Sequence, residues 1–343
     1  MNLLTRRLFL RFSSLSLLLS SAFSVNALAA DDIRIGISLP TQRDIVWVRY
    51  KQGLEDAAKK LGVKILLQVS DQDASVQASQ VENLLSQKVN ALIIAPHDAS
   101  AASTLVEKAH KAGIKVISLD RLILNSDLDL YVSFDNPKIG ELQGEYLVKN
   151  VPKGNYAVFL GAPTDNNSKI LHEAAMKHIA PLVKKGDIKI VTEQNIQDWQ
   201  PSVAQRLMEN SLTANKNNIN AVLAPNDNTA GGIIQALSSQ KLAGKVYVTG
   251  QDAELTAAQR IAAGTQSMTI FKDQNKLSEL ALQIAKDMAE KKPFKATHYT
   301  ANGKKNVPSV FLEPIIVDKN NIDKEFIQSG FFKKEDVYKF IKK

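Results

Sequence analysis

Polar clusters stand directly behind short β-branched runs along much of this chain. Thr41, Gln42, Arg43 and Asp44 follow the first run, with Trp47 close behind. His97-Asp98 and Asp120-Arg121 follow the third and fourth. Further along, Asp165-Asn166-Asn167, Asp198-Trp199, Asn226-Asp227, Gln251-Asp252 and Lys272 take the same place behind later runs. Carboxylates and amides dominate, joined by Arg121, Lys272 and both tryptophans of the chain. That mixture suits a neutral, polyhydroxylated ligand. Each hydroxyl donates and accepts at once, so carboxylates on one side and cations on the other can both be satisfied. An indole face covers the apolar C–H face of a pyranose ring with large contact area. An anionic ligand would call for an excess of Arg and Lys instead.

Several of these residues also have structural readings. Asp98 and Asp227 precede alanine-rich stretches and read as helix N-caps, so neither is placed in the site. Asn136-Pro137 reads as a turn and helix start, and Asn166-Asn167-Ser168 caps a helix. Asp120-Arg121 has the alternative of a surface ion pair. Trp199, ahead of Gln200-Pro201, is either a ligand contact or a buried loop anchor. His97, His172 and His178 are assigned no role. The patterns GxGxxG, GxxxxGK[ST] and GxSxG are absent, so neither an enzyme of those classes nor a cofactor is expected. Gly303-Lys304-Lys305 lacks the glycine spacing of a phosphate loop. Paired acids leave glycoside hydrolysis as a catalytic alternative, but here acids alternate with amides and bases, as recognition of a single sugar demands.

The elements that must position these clusters form one repeating pattern. β-Branched runs at 33–39, 64–69, 91–95, 115–119 and 130–134 alternate with amphipathic stretches at 47–61, 76–87 and 101–112. A second series of runs follows at 156–160, 188–192, 221–224, 245–249 and 267–271. Its helical stretches lie at 168–184, 203–215, 230–239 and 277–291. Alternation of this kind predicts βαβ units and parallel sheets. The segment from Asn90 to Asp98 also reads like that from Asn220 to Asp227. Each is followed by an alanine-rich helix, a glycine (Gly113, Gly244) and a Lys-Val pair (Lys115-Val116, Lys245-Val246). Two similarly folded lobes are expected. In open parallel sheets ligands bind beyond the carboxyl ends of the strands, which is where the polar clusters fall.

At 343 residues, with 44% hydrophobic and 23% charged, the chain suits two globular domains. It has no cysteine, which removes disulfides, thiolate metal sites and a lipidated cysteine. Its five histidines form no ligand pair at helical spacing, so no metal is expected. Residues 1–29 read as a signal peptide: Arg6, Arg7 and Arg11, then a short apolar stretch, then Ala27-Leu28-Ala29. The paired arginines suit either the twin-arginine or the general export route. Without those three arginines, 43 basic residues fall to 40 against 35 acidic, a net of +5. The excess is thinly spread and not interleaved with aromatics, so nucleic acid is not an expected partner.

Some stretches are more specific: Ser133-Phe134-Asp135-Asn136, Asp165-Asn166-Asn167-Ser168-Lys169, Leu212-Thr213-Ala214-Asn215, Thr229-Ala230-Gly231-Gly232 and Gly250-Gln251-Asp252-Ala253-Glu254. On these the chain resembles periplasmic sugar-binding proteins of ABC transporters, the ribose/galactose-binding class and its xylose-binding members above all. The resemblance implies an α/β fold of two Rossmann-like lobes (periplasmic binding protein type I) joined by a three-strand hinge with the ligand cleft between. The implied lobes are 31–134 plus 273–317, and 135–272 plus 318–343. Carried over, the ligand contacts would be Trp47, Asp120, Arg121, Asp165, Asn167, Trp199, Asn226, Asp252 and Lys272. The implied partners are a monosaccharide, a pentose such as D-xylose, and an inner-membrane permease. The implied state is a monomer in the periplasm, with no catalysis. One departure stands out: the xylose-binding pattern has an arginine before the first tryptophan, where this chain has Val46. Either Arg43 reaches in from the same loop or one hydroxyl loses a charged donor.

Overall fold

A computed structural model describes residues 33–341; the expected signal peptide at 1–29 lies outside them. Every β-branched run forms a strand. The first series gives β1 (Arg34–Leu39), β2 (Lys64–Val69), β3 (Ala91–Ile94), β4 (Lys115–Leu119) and β5 (Leu130–Phe134). The second gives β6 (Gly154–Leu160), β7 (Ile188–Asn195), β8 (Ala221–Leu223), β9 (Tyr247–Val248) and β10 (Met268–Phe271). Three strands were not foreseen: β11 (His298–Ala301), β12 (Asn306–Leu312) and β13 (Ile315–Asp318).

The strands sort into two α/β lobes. One holds a seven-stranded sheet of order β11-β12-β5-β4-β3-β1-β2, parallel except for β11 at its edge. The other holds a four-stranded parallel sheet, β7-β6-β8-β9. β10 and β13 pair as an antiparallel ribbon, and Ser267 ties its start to β9 through Val248. In both sheets the first strand lies between the second and the third. The order therefore reverses there, which opens a crevice at the carboxyl ends. The chain passes between the lobes after β5, after β10 and along β13, the hinge of a type I periplasmic binding protein fold.

The internal repeat has a structural cause. The Asn90 side chain accepts from Arg34 N–H (2.8 Å) at the head of β1, and the Asn220 side chain accepts from Asn155 N–H (2.8 Å) in β6. Each asparagine thus starts the third strand of its lobe in register with the first. Gly113 and Gly244 both turn the chain left-handed (φ +74° and +80°) between helix and fourth strand, where a side chain would be strained.

Helices cover the sheets: α1 (Ile45–Leu61), α2 (Ala74–Ser86), α3 (Ser103–Lys111), α4 (Asn136–Asn150), α5 (Asn166–Lys185), α6 (Pro201–Ala214), α7 (Asp227–Ser239), α8 (Leu255–Ala262), α9 (Gln274–Ala289) and the short α10 (Lys334–Val337). Several begin two or three residues before the predicted stretch. The cause is an aspartate cap in each case: Asp44, Asp73, Asp165 and Asp273 accept the first free backbone N–H groups of α1, α2, α5 and α9. α3 departs the other way. Asp98 accepts from Ser100 and Ala101 N–H, which holds a turn and delays the helix to Ser103.

α4 and α5 pack closely in the second lobe. A Cβ on Gly144 would stand 2.4 Å from the Ala175 carbonyl oxygen. Gly144→Ala is expected to lower unfolding free energy by about 1–3 kcal/mol, read from the urea midpoint, because neither backbone can yield.

Candidate functional site

The carboxyl ends of the two sheets face one another across a narrow shared cavity. All nine sequence-derived site residues line it: Trp47, Asp120, Arg121, Asp165, Asn167, Trp199, Asn226, Asp252 and Lys272. They come from both lobes. Asp120 and Arg121 follow β4, whereas Asp165 caps α5, Asn226 caps α7 and Asp252 follows β9. Asp120 and Asp252 sit at positive φ (+61° and +98°), a strained backbone for aspartate that recurs at functional sites.

Lys272 is the electrostatic centre. The residue is 4% exposed, and its ammonium lies 3.1 Å from Asp252 Oδ1 and 3.3 Å from Asp120 Oδ2. Burial works against the charged lysine, but the two carboxylates outweigh it and hold its pKa above the ordinary lysine value. Tyr50 donates to Asp120 Oδ2 at 2.7 Å. Burial, together with that carboxylate, pushes the phenol pKa up, so Tyr50 stays a donor.

A second buried pair is the Arg121 guanidinium, its Nε 2.7 Å from Asp165 Oδ2. Burial raises the Asp165 pKa, and Arg121 partly opposes it. The same guanidinium lies 5.0 Å from the centre of the Trp47 ring, a cation–π distance. Asn167 donates to the Asp120 carbonyl oxygen (3.1 Å) and accepts from Asn136 Nδ2 (3.1 Å). Asn136, read from sequence only as a helix start, therefore braces the cavity floor. Elsewhere Ala99 N–H donates to the Thr164 carbonyl oxygen (3.0 Å), and Arg49 Nη1 to that of Ala253 (2.8 Å), so the lobes also meet at their rims.

Two buried polar atoms at the cavity have no hydrogen-bond partner among the described residues: Trp199 Nε1 and Gln251 Oε1. One is a donor, the other an acceptor. An unmade hydrogen bond at a buried group costs about 1–3 kcal/mol, so a ligand group that reached either atom would be held. Trp199 is also part of the apolar core, its ring packed so closely on Gly161 that a Cβ there would stand 2.2 Å from the indole. It is both a buried loop residue and a wall of the cavity.

Four further residues line the cavity: Asp44, Val46, Tyr50 and Gln251. Asp44 and Gln251 belong to strand-end clusters, but the resemblance carried neither over as a ligand contact. Tyr50 lies one helical turn beyond Trp47, so the i, i+3 spacing was a usable signal. Arg43 does not reach in. It pairs with Asp71 at 2.6 Å on the exposed rim. Val46 thus leaves an apolar patch on the wall. The N-cap expectation for Asp227 needs correction. Asn226 is the cap, accepting from Thr229 N–H at 3.0 Å. Asp227 is fully buried and accepts from Gln266 Nε2 (2.7 Å), Thr269 Oγ1 (2.7 Å) and Glu254 N–H (3.1 Å). Among the described residues no cluster of three or more His, Asp or Glu could hold a metal ion.

Residues 35–293 match the family model of the periplasmic binding protein domain. The chain belongs to that family. It is 45% identical over 307 residues to the D-xylose-binding periplasmic protein of Haemophilus influenzae, covering 90% of this chain and 92% of that one. The D-xylose-binding periplasmic protein of Escherichia coli is 43% identical over 308 residues, covering 90% and 93%. Among solved structures, a carbohydrate transporter solute-binding protein from Chloroflexus aurantiacus in complex with D-glucose superposes with a TM-score of 0.83 at 31% identity, covering 88% of this chain and 97% of that one.

Asp44 supplies a pH signature. Burial, then the nearby Asp252, pushes its pKa from 3.8 up to about 6, with Val46 N–H, Arg121 and Lys272 opposing. Because the folded pKa is raised, its favourable contribution is complete below about 3.8 and is lost as pH rises through about 6. Asp44→Asn keeps a capping oxygen and removes the charge. Relative to that variant, the wild type is expected to lose on the order of 1–3 kcal/mol of unfolding free energy between about pH 4 and pH 7 in urea titrations. A pH-independent difference would remove this assignment.

Proposed function

We propose that this protein is a periplasmic monosaccharide-binding protein that delivers D-xylose to an inner-membrane ABC permease by closure of its two lobes. The observation that carries the reading is the composition of the cavity wall. Paired charges, amides and two indoles, contributed by both lobes, line the cavity, where Trp199 Nε1 and Gln251 Oε1 have no hydrogen-bond partner among the described residues. The nine residues from Trp47 to Lys272 are proposed as the sugar contacts. In this arrangement Trp47 and Trp199 face the apolar C–H surfaces of the ring. The carboxylates accept from hydroxyls, while Arg121 and Lys272 donate.

The proposed lobes are 31–134 plus 273–317, and 135–272 plus 318–343. Their support is the joining of β12 to β5, the hydrogen bond of Ser278 to the Tyr50 backbone, and the packing of the segment after β13 on α8 through Gln259 and Asp336. Since both lobes contribute contacts, a sugar binds the closed form better than the open one and shifts the population by that difference. A wrong epimer leaves wall groups unpaired, at about 1–3 kcal/mol each. Export rests on the signal peptide read at 1–29, and the protein acts as a monomer.

Xylose is favoured by the two xylose-binding relatives. A sugar-sensing receptor for another pentose or hexose is the alternative, and a relative solved with D-glucose keeps hexoses in play. Hydrolysis is disfavoured by the wall itself. Asp120 and Asp252 are tied to Lys272, and Asp165 to Arg121, which leaves Asp44 as the one lining carboxyl without an ion-pair partner, where hydrolysis needs two.

Calorimetry across D-xylose, D-ribose, L-arabinose, D-glucose and D-galactose is expected to give one site per chain, no turnover and tightest binding for D-xylose. Asp120→Ala and Trp199→Ala should each weaken that binding roughly tenfold to a hundredfold. Unchanged affinity in both variants would refute the site.

A further inference from the structure

Residues other than glycine adopt left-handed backbone on both sides of the cavity mouth. In the β2–α2 loop they are Asp71 (φ +51°) and Gln72 (φ +68°); in the turn after β7 they are Asp198 (φ +51°) and Trp199 (φ +57°). Conformations of this kind are strained for side-chain-bearing residues and persist only where the surroundings hold them. Here the two strained segments hold each other. Gln72 Nε2 donates to the Asp198 carbonyl oxygen (3.1 Å), and Gln72 Oε1 accepts from Gln200 Nε2 (3.4 Å). A single side chain of the first lobe therefore grips the second lobe immediately before and immediately after Trp199.

The loop bearing Gln72 is itself anchored. Gln72 N–H donates to the Pro40 carbonyl oxygen (2.7 Å) and Ser70 N–H to that of Leu39 (3.0 Å), at the end of β1. The Arg43–Asp71 pair braces it from outside. Glycine would be the unstrained occupant of position 72. A glutamine there keeps the strain and gains two hydrogen bonds across the lobes. Gln72 is not among the residues lining the cavity.

We propose that Gln72 is a positioning residue for Trp199: on closure it clasps the backbone at 198–200 and seats the indole against the bound sugar. The inference rests on the sugar-binding reading above. Because the clasp exists only with the lobes together and touches no ligand, it should slow release without choosing among sugars.

Gln72→Met removes both hydrogen bonds and keeps the bulk; Gln72→Gly removes the strain as well. D-Xylose and D-glucose serve as probes, by calorimetry and by stopped-flow tryptophan fluorescence. For whichever sugar binds the wild type more tightly, both variants should bind roughly fivefold to tenfold more weakly, through faster release. The ligand-induced fluorescence change should shrink, while Gln72→Gly without sugar should melt at an unchanged or higher temperature. In a Trp199→Phe background the further loss from Gln72→Gly should fall below about twofold. Wild-type affinity in both variants overturns the clasp. So does a loss that persists in full in the Trp199→Phe background. A wild type that binds neither sugar overturns the proposed function, and the clasp with it.

Discussion

The ammonium of Lys272 is shut away from water, and a lone charge in that position would cost several kcal/mol. The carboxylates of Asp120 and Asp252 offset that cost, and they come from different lobes. Lys272 stands at the end of β10, where the chain is about to return to the first lobe. The triad is therefore both the charge centre of the cavity and a tie across the hinge. Much else follows from it. Asp120 and Asp252 accept strained backbone to aim at the lysine, Tyr50 supports one carboxylate, and Asn167 secures the backbone beside it.

Around this centre the wall divides its labour. Arg121 Nε pairs with Asp165 and Nη1 donates to the Pro96 carbonyl oxygen, which leaves Nη2 as the donor for a ligand. The indoles supply apolar faces, one of them steadied by a cation, the other wedged on a glycine. At the cavity wall, Trp199 Nε1 and Gln251 Oε1 are buried atoms without a hydrogen-bond partner among the described residues. Such an arrangement discriminates by unmet hydrogen bonds more than by shape, because a misplaced hydroxyl leaves a desolvated partner behind.

Legibility from sequence was uneven for physical reasons. The central strands were readable because β-branched runs buried on both faces, such as β3 and β5, need no long-range information. Helix starts were misplaced by a few residues, since caps such as Asp73 and Asp273 lie before the apolar periodicity begins. β11 to β13 were missed: β11 is polar at an exposed edge, and the runs of β12 and β13 are short and broken by Pro308 and Glu313-Pro314. Asp227 shows the opposite failure. Its position ahead of an alanine-rich helix suggested a cap, yet Gln266 and Thr269, some forty residues on, make it a buried acceptor.

The order of polar clusters behind successive strands determined, by itself, that two repeated α/β lobes would present carboxylates, amides, cations and indoles at their carboxyl ends. Local propensity and strand alternation suffice for that, because each cluster is placed by its own βα unit. Only the tertiary structure decided which charges pair, that Arg43 turns to the rim while Val46 lines the wall, and that Gln72 reaches across to Asp198 and Gln200. Those contacts join residues far apart in the chain, and their geometry is set by how the two lobes close on each other, which no local pattern encodes.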